Sequence, residues 1–308
     1  MEIKYTVEKN GERLDIYLRL QLPGYSRSWI QKQIIAGQVS VNGKDASPHQ
    51  QLRSGDVVAG EIISPPEIDL TPDPAISWET VFESPDYLVI NKPAGLVVHP
   101  SEATKSKTLV NGLISRYPQI IKVGDDPLRP GIVHRLDKEV SGLMIVALTQ
   151  ETFEHFKKLF QAHAVKKSYT ALVYGAGLPD SGTINFLLQR SKDGKIVSVS
   201  ETAPGTKPAK WAETEYEVIE RFSKYTLVKV TTLTGRTHQI RAHFHGLGHP
   251  LVGDNLYQIK RFIRLKHWTS LFLCADHLAL VDPAGQEKKF FIDLPPQLKE
   301  IITELRQG

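Results

Sequence analysis

The stretch Arg129–Leu148, RPGIVHRLDKEVSGLMIVAL, sets two apolar runs, Gly131–Val133 and Leu143–Leu148, on either side of His134, Arg135 and Asp137. Both runs have strand composition, so the charged residues fall at a strand end or turn inside a cleft. A carboxylate held at low dielectric needs a cationic partner or it keeps its proton. Asp137 is therefore the first residue to weigh for chemistry. Pairing with Arg135 or capping a turn is the commoner fate of such an aspartate.

A second basic motif offers the partner. In LTGRTHQIRAHFHGLGHPLVGD (233–254), a helix starting near Thr237 places His238, Arg241 and His245 at i, i+3 and i+7 on one face. Arg241 then reaches toward a cleft carboxylate, while Arg236 precedes the helix. His238, His243, His245 and His249 invite a metal reading. His238 and His243, however, lie five apart on different helical faces, unlike the i, i+4 pair of zinc helices. No metal site is expected.

Tyr169 in KSYTALVYG (167–175) shares a strand face with Ala171 and Val173, opposite Thr170, Leu172 and Tyr174. Strand tyrosines usually fill cores, so alone it carries little. Lys166 and Lys167 precede it and suit phosphate. QIKRFIRLKHW (258–268) interleaves basic residues with Phe262 and Trp268, a composition fitted to RNA or to a solvated amphipathic helix. Ser141-Gly142 lacks the nucleophile elbow, and Cys274 has no identifiable base.

The remaining composition excludes more than it assigns. The 308 residues are 41% hydrophobic and 23% charged, with a net charge of +4. This mild basicity permits nucleic acid without requiring it. A lone cysteine and no signal-peptide or membrane-spanning run lead to the expectation of a soluble, cytoplasmic protein.

Pro65, Pro66, Pro72 and Pro74 mark residues 65–78 as an extended linker between a 1–64 domain and a 79–308 domain. In the first domain, Leu14, Leu18 and Leu22 fall four apart as on one helix face. SRSWIQKQIIAG reads as a second helix capped by Ser26 and ended by Gly37. QVSVNG with its Asn42-Gly43 turn begins a hairpin, and LRSGDVVAGEI supplies a returning strand. Arg27, Lys32 and Lys44 would line a positive surface, although eight basic against seven acidic residues up to Ser64 decide nothing. After the linker, strand signals at 87–93, 142–149, 167–175, 215–222, 225–233 and 289–295 outnumber helices at 150–163, near 237 and at the C-terminal end. The pattern predicts an α+β fold around a mixed or antiparallel sheet.

These motifs also carry a resemblance. GIVHRLDKEVSGL resembles the catalytic motif of the RluA-type RNA pseudouridine synthases, and NKPAGLVVHP (91–100), KSYTALVYG, TGRTHQIRAH and GHPLVGDNLY (248–257) match the family's other signatures in order. SRSWIQKQIIAGQVSVNGK resembles the S4-type RNA-binding domain. The arrangement is most like the enzymes that modify large-subunit ribosomal RNA. The resemblance implies isomerisation of uridine to pseudouridine without cofactor or metal. It implies RNA as partner, ribosomal first and transfer RNA as an alternative, with no DNA and no membrane. Asp137 would be the catalytic aspartate, whether it attacks ribose or base or abstracts a sugar proton. Arg241 would pair with it and keep it charged. Tyr169 would stack on the uracil and help remove the carbon-5 proton. Arg135 would fill the space left by a flipped base, Leu273 would pack beneath that base, and His134 would organise the turn. Arg236 and His238 are expected to line the substrate site, and Arg27, Lys32, Lys44, Lys166 and Lys167 to contact RNA.

Two departures stand out. The family's usual Asp-Thr is Glu139-Val140 here, and its Leu-His-Ala is Leu273-Cys274-Ala275. Neither removes a residue assigned to chemistry. The competing classes are a non-catalytic RNA-binding or ribosome-assembly factor, for which a buried carboxylate is superfluous, and a hydrolase or nuclease, for which no metal cluster or activated nucleophile is visible.

Overall fold

The computed structural model describes residues 1–25, 27–64, 69–101, 103–191, 193–202, 208–262 and 268–307. The chain divides into two compact units, Met1–Glu67 and Ile68–Gly308.

The first unit carries strands β1 (Glu2–Thr6), β2 (Val39–Val41), β3 (Lys44–Asp45) and β4 (Val57–Glu61) in the antiparallel order β1-β4-β2-β3, with helices α1 (Leu14–Gln21) and α2 (Arg27–Ile35). Leu14, Leu18 and Leu22 do fall on one buried face of α1 and meet Ile30 and Ile34 of α2. Asn42 and Gly43 both take positive φ, 53° and 73°, as a tight two-residue hairpin demands. Gly37 at φ 75° closes α2. The Ser26 cap lies outside the described residues. Asp15 is fully buried and accepts from Arg13, Arg27 and Gln31. These donors, working against the burial that would raise it, pull its carboxyl down to about 2.

The second unit is built on β5 (Glu79–Glu83), β6 (Tyr87–Lys92), β7 (Ser141–Ala147), β8 (Lys166–Tyr174), β9 (Ser181–Ile184), β12 (Thr214–Arg221), β13 (Tyr225–Thr232), β14 (Leu273–Val281) and β15 (Glu287–Phe291). A hairpin, β10 (Leu187–Arg190) with β11 (Ile196–Val199), stands apart. The sheet order is β5-β6-β7-β14-β8-β13-β12-β9, with β15 on β14. β7 and β14 run parallel, and every other neighbouring pair among the described residues is antiparallel. This is the expected α+β fold with a mixed, mainly antiparallel sheet. Its helices are α3 (Leu109–Arg116), α4 (Gln150–Gln161), α5 (Gln239–Gly246) and α6 (Pro296–Gln307).

The alternation in β8 is as the sequence reads. Ala171 and Val173 join the main core, with Tyr169 packed on it, while Leu172 and Tyr174 join the cluster under α6. Three expectations need correction. Gly131–Val133 is not a strand. It is a turn touching β7 through one bridge, Ile132 to Val146, with Gly131 at φ 70° packed against Ala147 and Ile120. The α5 helix starts at Gln239 rather than near Thr237, and His238 precedes it in the left-handed conformation. Of the 65–78 linker, residues 65–68 lie outside the described residues, and 69–78 belongs to the second unit. Asn111 of α3 donates to the Asp69 and Thr71 carbonyls, and Leu70 and Trp78 pack on the main core. Prolines here keep the segment extended, and burial fixes it in place.

Candidate active site

The loop bearing Asp137 is pinned on both sides of that residue. His134 Nε2 accepts the Ile145 amide of β7 at 2.9 Å, and its ring stacks on Phe160 at 4.5 Å. Burial, with Lys167 nearby, drives this imidazole down to about 3, so it is neutral as its acceptor role requires. Leu136 is buried in the core. On the other side, the Lys138 carbonyl accepts from the Gly95 amide at 2.7 Å and from Lys92 Nζ at 3.3 Å. Asp137 is left to face a cavity of about 450 Å³.

The expected site residues Asp137, Tyr169, Arg241, Arg135, His134, Leu273, Arg236, His238 and Lys167 all line that cavity. The Asp137 side chain is 16% exposed. Its Oδ2 lies 3.6 Å from Arg241 Nη1 and 3.8 Å from His238 Nε2. Tyr169 rises from β8 and Leu273 from β14. Burial pushes the Tyr169 phenol up to about 12, so it carries its proton at neutral pH. Arg135 is exposed and makes no hydrogen bond or ion pair among the described residues. Arg236 is exposed as well, its Nε directed to the Trp211 carbonyl at 3.3 Å. Lys167 sits over the Phe160 ring at 5.4 Å and is lowered by burial, whereas Lys166 is exposed and outside the cavity lining.

Arg241 divides its charge differently from the sequence expectation. Its strong partner is Asp254, met in a two-pronged contact at 2.7 and 2.9 Å, with the carboxylate 0% and the guanidinium 5% exposed. Asp254 Oδ1 also accepts the Leu256 and Tyr257 amides. Burial acts to raise the Asp254 carboxyl, but Arg241 and those amides hold it below its ordinary value. Arg241 is thereby locked, and only Nη1 is turned to Asp137. Glu139, one methylene longer than the family's aspartate, brings a third carboxylate to 3.9 Å from Nη1.

Sequence reasoning missed four residues of this arrangement: Lys92, Glu139 as a partner of Arg241, Asp254 and Tyr257. All four lie in segments quoted for the resemblance. The GDNLY turn carried the signal, an acid and an aromatic just past an arginine-bearing helix. The two family departures separate. Val140 lines the cavity, whereas Cys274 is buried in the α6 cluster on the sheet's far side. There, burial pushes its thiol up to about 11.

The four histidines of the motif have separate partners. His238 meets Tyr257, His243 meets Thr214 and Phe186, His245 the Gln258 backbone, and His249 the Tyr174 carbonyl. Among the described residues no group of three or more His, Cys, Asp or Glu is placed to hold a metal ion, and no helix is long and apolar enough to cross a membrane.

In the first unit, Arg27 gives two hydrogen bonds to Asp15 and stays 48% exposed. Lys32 Nζ lies 5.9 Å from the Trp29 ring centre, and Lys44 is exposed on β3. Of the 258–268 segment, residues 263–267 lie outside the described residues.

Known proteins share this sequence and this fold. Residues 86–246 match the RNA pseudouridylate synthase family, and residues 12–58 match the S4 domain. A protein of Aquifex aeolicus named an uncharacterized RNA pseudouridine synthase is 38% identical over 99% of this chain and 97% of its own. The ribosomal large subunit pseudouridine synthase D of Yersinia pestis is 38% identical over 96% of this chain and 91% of its own. Among solved structures, human RNA pseudouridylate synthase domain containing 4 superposes with a TM-score of 0.58 at 25% identity, covering 74% of this chain and 93% of its own. With a family match over the loop of Asp137, Tyr169 and Arg241, and full-length relatives on both counts, the chain belongs to the RNA pseudouridylate synthases and carries an S4 domain ahead of its catalytic unit.

Proposed function

We propose that this enzyme converts specific uridines of large-subunit ribosomal RNA to pseudouridine in the cytoplasm, with Asp137 as the residue that acts on the nucleoside. The observation that carries the reading is the Asp137 carboxylate facing a 450 Å³ cavity beside Arg241 and His238, with Tyr169 on its wall. Identity to the Yersinia protein named for the ribosomal large subunit supports the choice of RNA.

The isomerisation breaks the bond from ribose C1′ to uracil N1 and forms one from C1′ to C5. The C5 proton is lost and N1 gains one, so the exchange is redox-neutral and asks for no cofactor. A paired uridine must first leave its stack, at a cost of a few kcal/mol. Arg135, exposed and with no hydrogen bond or ion pair among the described residues, takes the place of the departed base. Tyr169 and Leu273 bracket the flipped uracil, the protonated phenol of Tyr169 favouring a stacking role over that of a phenolate base. Arg241, held by Asp254, opposes the Asp137 charge. Lys167 and Arg236 meet backbone phosphate at the cavity, and Lys166 does so outside it. Residues 1–64 form the docking module, with Lys32, Lys44 and the exposed part of Arg27 toward RNA.

The test is a single-nucleotide pseudouridine map of ribosomal and transfer RNA from cells carrying the native protein or Asp137→Asn. Loss of particular large-subunit sites, with RNA affinity retained by the purified variant, is expected. Loss confined to transfer RNA overturns the choice of substrate, and a native map in the variant overturns the role of Asp137.

A further inference from the structure

One buried residue touches both groups that face Asp137. Tyr257, 1% exposed, lies with its ring centre 5.3 Å from the Arg241 guanidinium and its hydroxyl 3.1 Å from His238 Nδ1. The direction of that hydrogen bond follows from what His238 faces on its other side. Asp137 Oδ2, a carboxylate oxygen that accepts and does not donate, stands before Nε2 and favours the ring proton there. Burial drives the Tyr257 phenol upward, so the group is a neutral O–H with a proton to give, and His238 Nδ1 stands within reach to accept it. An imidazole accepting at Nδ1 carries its proton on Nε2. Nε2 is the atom that lies 3.8 Å from Asp137 Oδ2. Burial also lowers the His238 pKa and keeps the ring neutral.

The backbone is set to the same end. His238 takes φ 53°, a left-handed conformation that costs a non-glycine residue about 1 kcal/mol or more and concentrates at functional sites. From that position the ring bridges Tyr257 and Asp137.

We propose that His238 is a positioning residue, a second hydrogen-bond donor to Asp137 whose Nε2–H is aimed by the Tyr257 hydroxyl. Arg241 Nη1 and His238 Nε2 both approach Oδ2, so the two carboxylate oxygens have different roles: Oδ2 is held by protein and Oδ1 is left for the nucleoside. Both contacts exceed hydrogen-bond length without substrate, and catalytic hydrogen bonds commonly close only in the substrate complex. The inference rests on Asp137 being the residue that acts on the nucleoside.

The experiment measures kcat, KM and melting temperature for the full chain on an RNA substrate. It uses Asp137→Asn, His238→Asn, His238→Gln, Tyr257→Phe and the double variant Tyr257→Phe/His238→Asn. Asparagine tolerates the left-handed backbone and keeps an acceptor near Nδ1 but loses the donor to Asp137. Glutamine places an amide N–H near the position of Nε2. His238→Asn is expected to lower kcat roughly 10- to 100-fold with KM little changed, the effect of losing a hydrogen bond to a charged group. His238→Gln is expected to recover most of that loss. Tyr257→Phe should lower kcat several-fold alone and add nothing in the double variant, since it acts through His238. Equal losses in the asparagine and glutamine variants, or losses that multiply in the double variant, would overturn the proposal. Should His238→Asn not fold, Tyr257→Phe decides, because an unchanged kcat in that variant is equally fatal. Activity retained in Asp137→Asn would instead sink the reading on which the proposal rests. An inactive Asp137→Asn beside a fully active His238→Asn sinks this inference alone.

Discussion

Lys92 Nζ donates to the carbonyl oxygen of Lys138 at 3.3 Å, tying a fully buried cation to the residue that follows Asp137. The same ammonium donates to the Pro93 and Leu96 carbonyls at 2.8 and 3.0 Å. Burial drives Lys92 down to about 8, against the opposing pull of Asp137 and Glu139. A buried ammonium is itself costly, so an apolar replacement of similar length need not destabilise the fold. What it removes is the tether on the Asp137 loop. Lys92→Met is therefore expected to lower kcat by about tenfold or more, the effect of misplacing a reacting group, while melting shifts by only a few degrees. Parallel kinetics and calorimetry check this, and a large drop in melting temperature with normal kcat would contradict it.

Asp254 makes a second prediction. It holds Arg241 by two hydrogen bonds in a site from which both side chains are shielded. Asp254→Asn keeps the shape but removes the charge, and the arginine loses its strongest anchor. Breaking one side of a buried pair costs about 3–5 kcal/mol. The variant should melt measurably lower, and its single-turnover rate should fall even at temperatures where it is folded. A rate equal to the native one would show that Arg241 needs no anchor to face Asp137.

The residues that were hard to read from sequence share a physical reason. The strands β6, β8, β12 and β13 were legible because apolar and β-branched residues recur with period two or in short runs. α4 and α6 were legible from their apolar stripes. α3, LVNGLISR, was not, because six of its eight residues are buried and no polar face marks the period. β14, LCADHLALV, carries Asp276 and His277 at a bulge, which breaks the alternation in its middle. In the site, Asp137 and Arg241 are legible from the setting of their charges, Tyr169 and Leu273 only by resemblance, and the cavity brings all four together. Asp254 was not, since nothing local distinguishes an aspartate that caps a turn from one that also anchors an arginine 13 residues earlier. His238 reads as helical because its pattern continues that of α5, and only the backbone reveals the left-handed step.

The first unit offers a pH prediction. Asp15 is held at about 2 by Gln31, Arg13 and Arg27 despite its burial. A carboxyl whose folded pKa is depressed contributes stability that is fully present above its unfolded value near 4 and is lost as pH falls toward the folded value. The unit should lose stability progressively between about pH 4 and pH 2, and Asp15→Asn should be less stable at neutral pH and flatter across that window. Denaturant titrations of the full chain at several pH values, followed by a probe in the first unit, check the slope. A native slope in Asp15→Asn would assign the acid sensitivity elsewhere.

Gly142 gives the most stringent prediction for the fold itself. It stands in the Ser-Gly pair that closes the Asp137 motif, opposite Ala275 in the parallel pairing of β7 with β14. Its φ is 126°, and an added Cβ would run into the Ala275 backbone, which cannot move without breaking the sheet at its centre. Alanine there meets two penalties at once, a backbone conformation that L residues rarely adopt and a steric clash with main chain. Because Leu273, two residues before Ala275, lines the cavity, any parting of β14 from β7 also displaces the site floor. Gly142→Ala is expected to cost about 3 kcal/mol or more and to lower soluble yield, whereas Ser141→Ala on the same strand should cost about 1 kcal/mol. Comparing the two by thermal and denaturant unfolding separates backbone strain from the loss of one side chain, and equal stabilities would show that the β7–β14 contact is looser than this geometry requires.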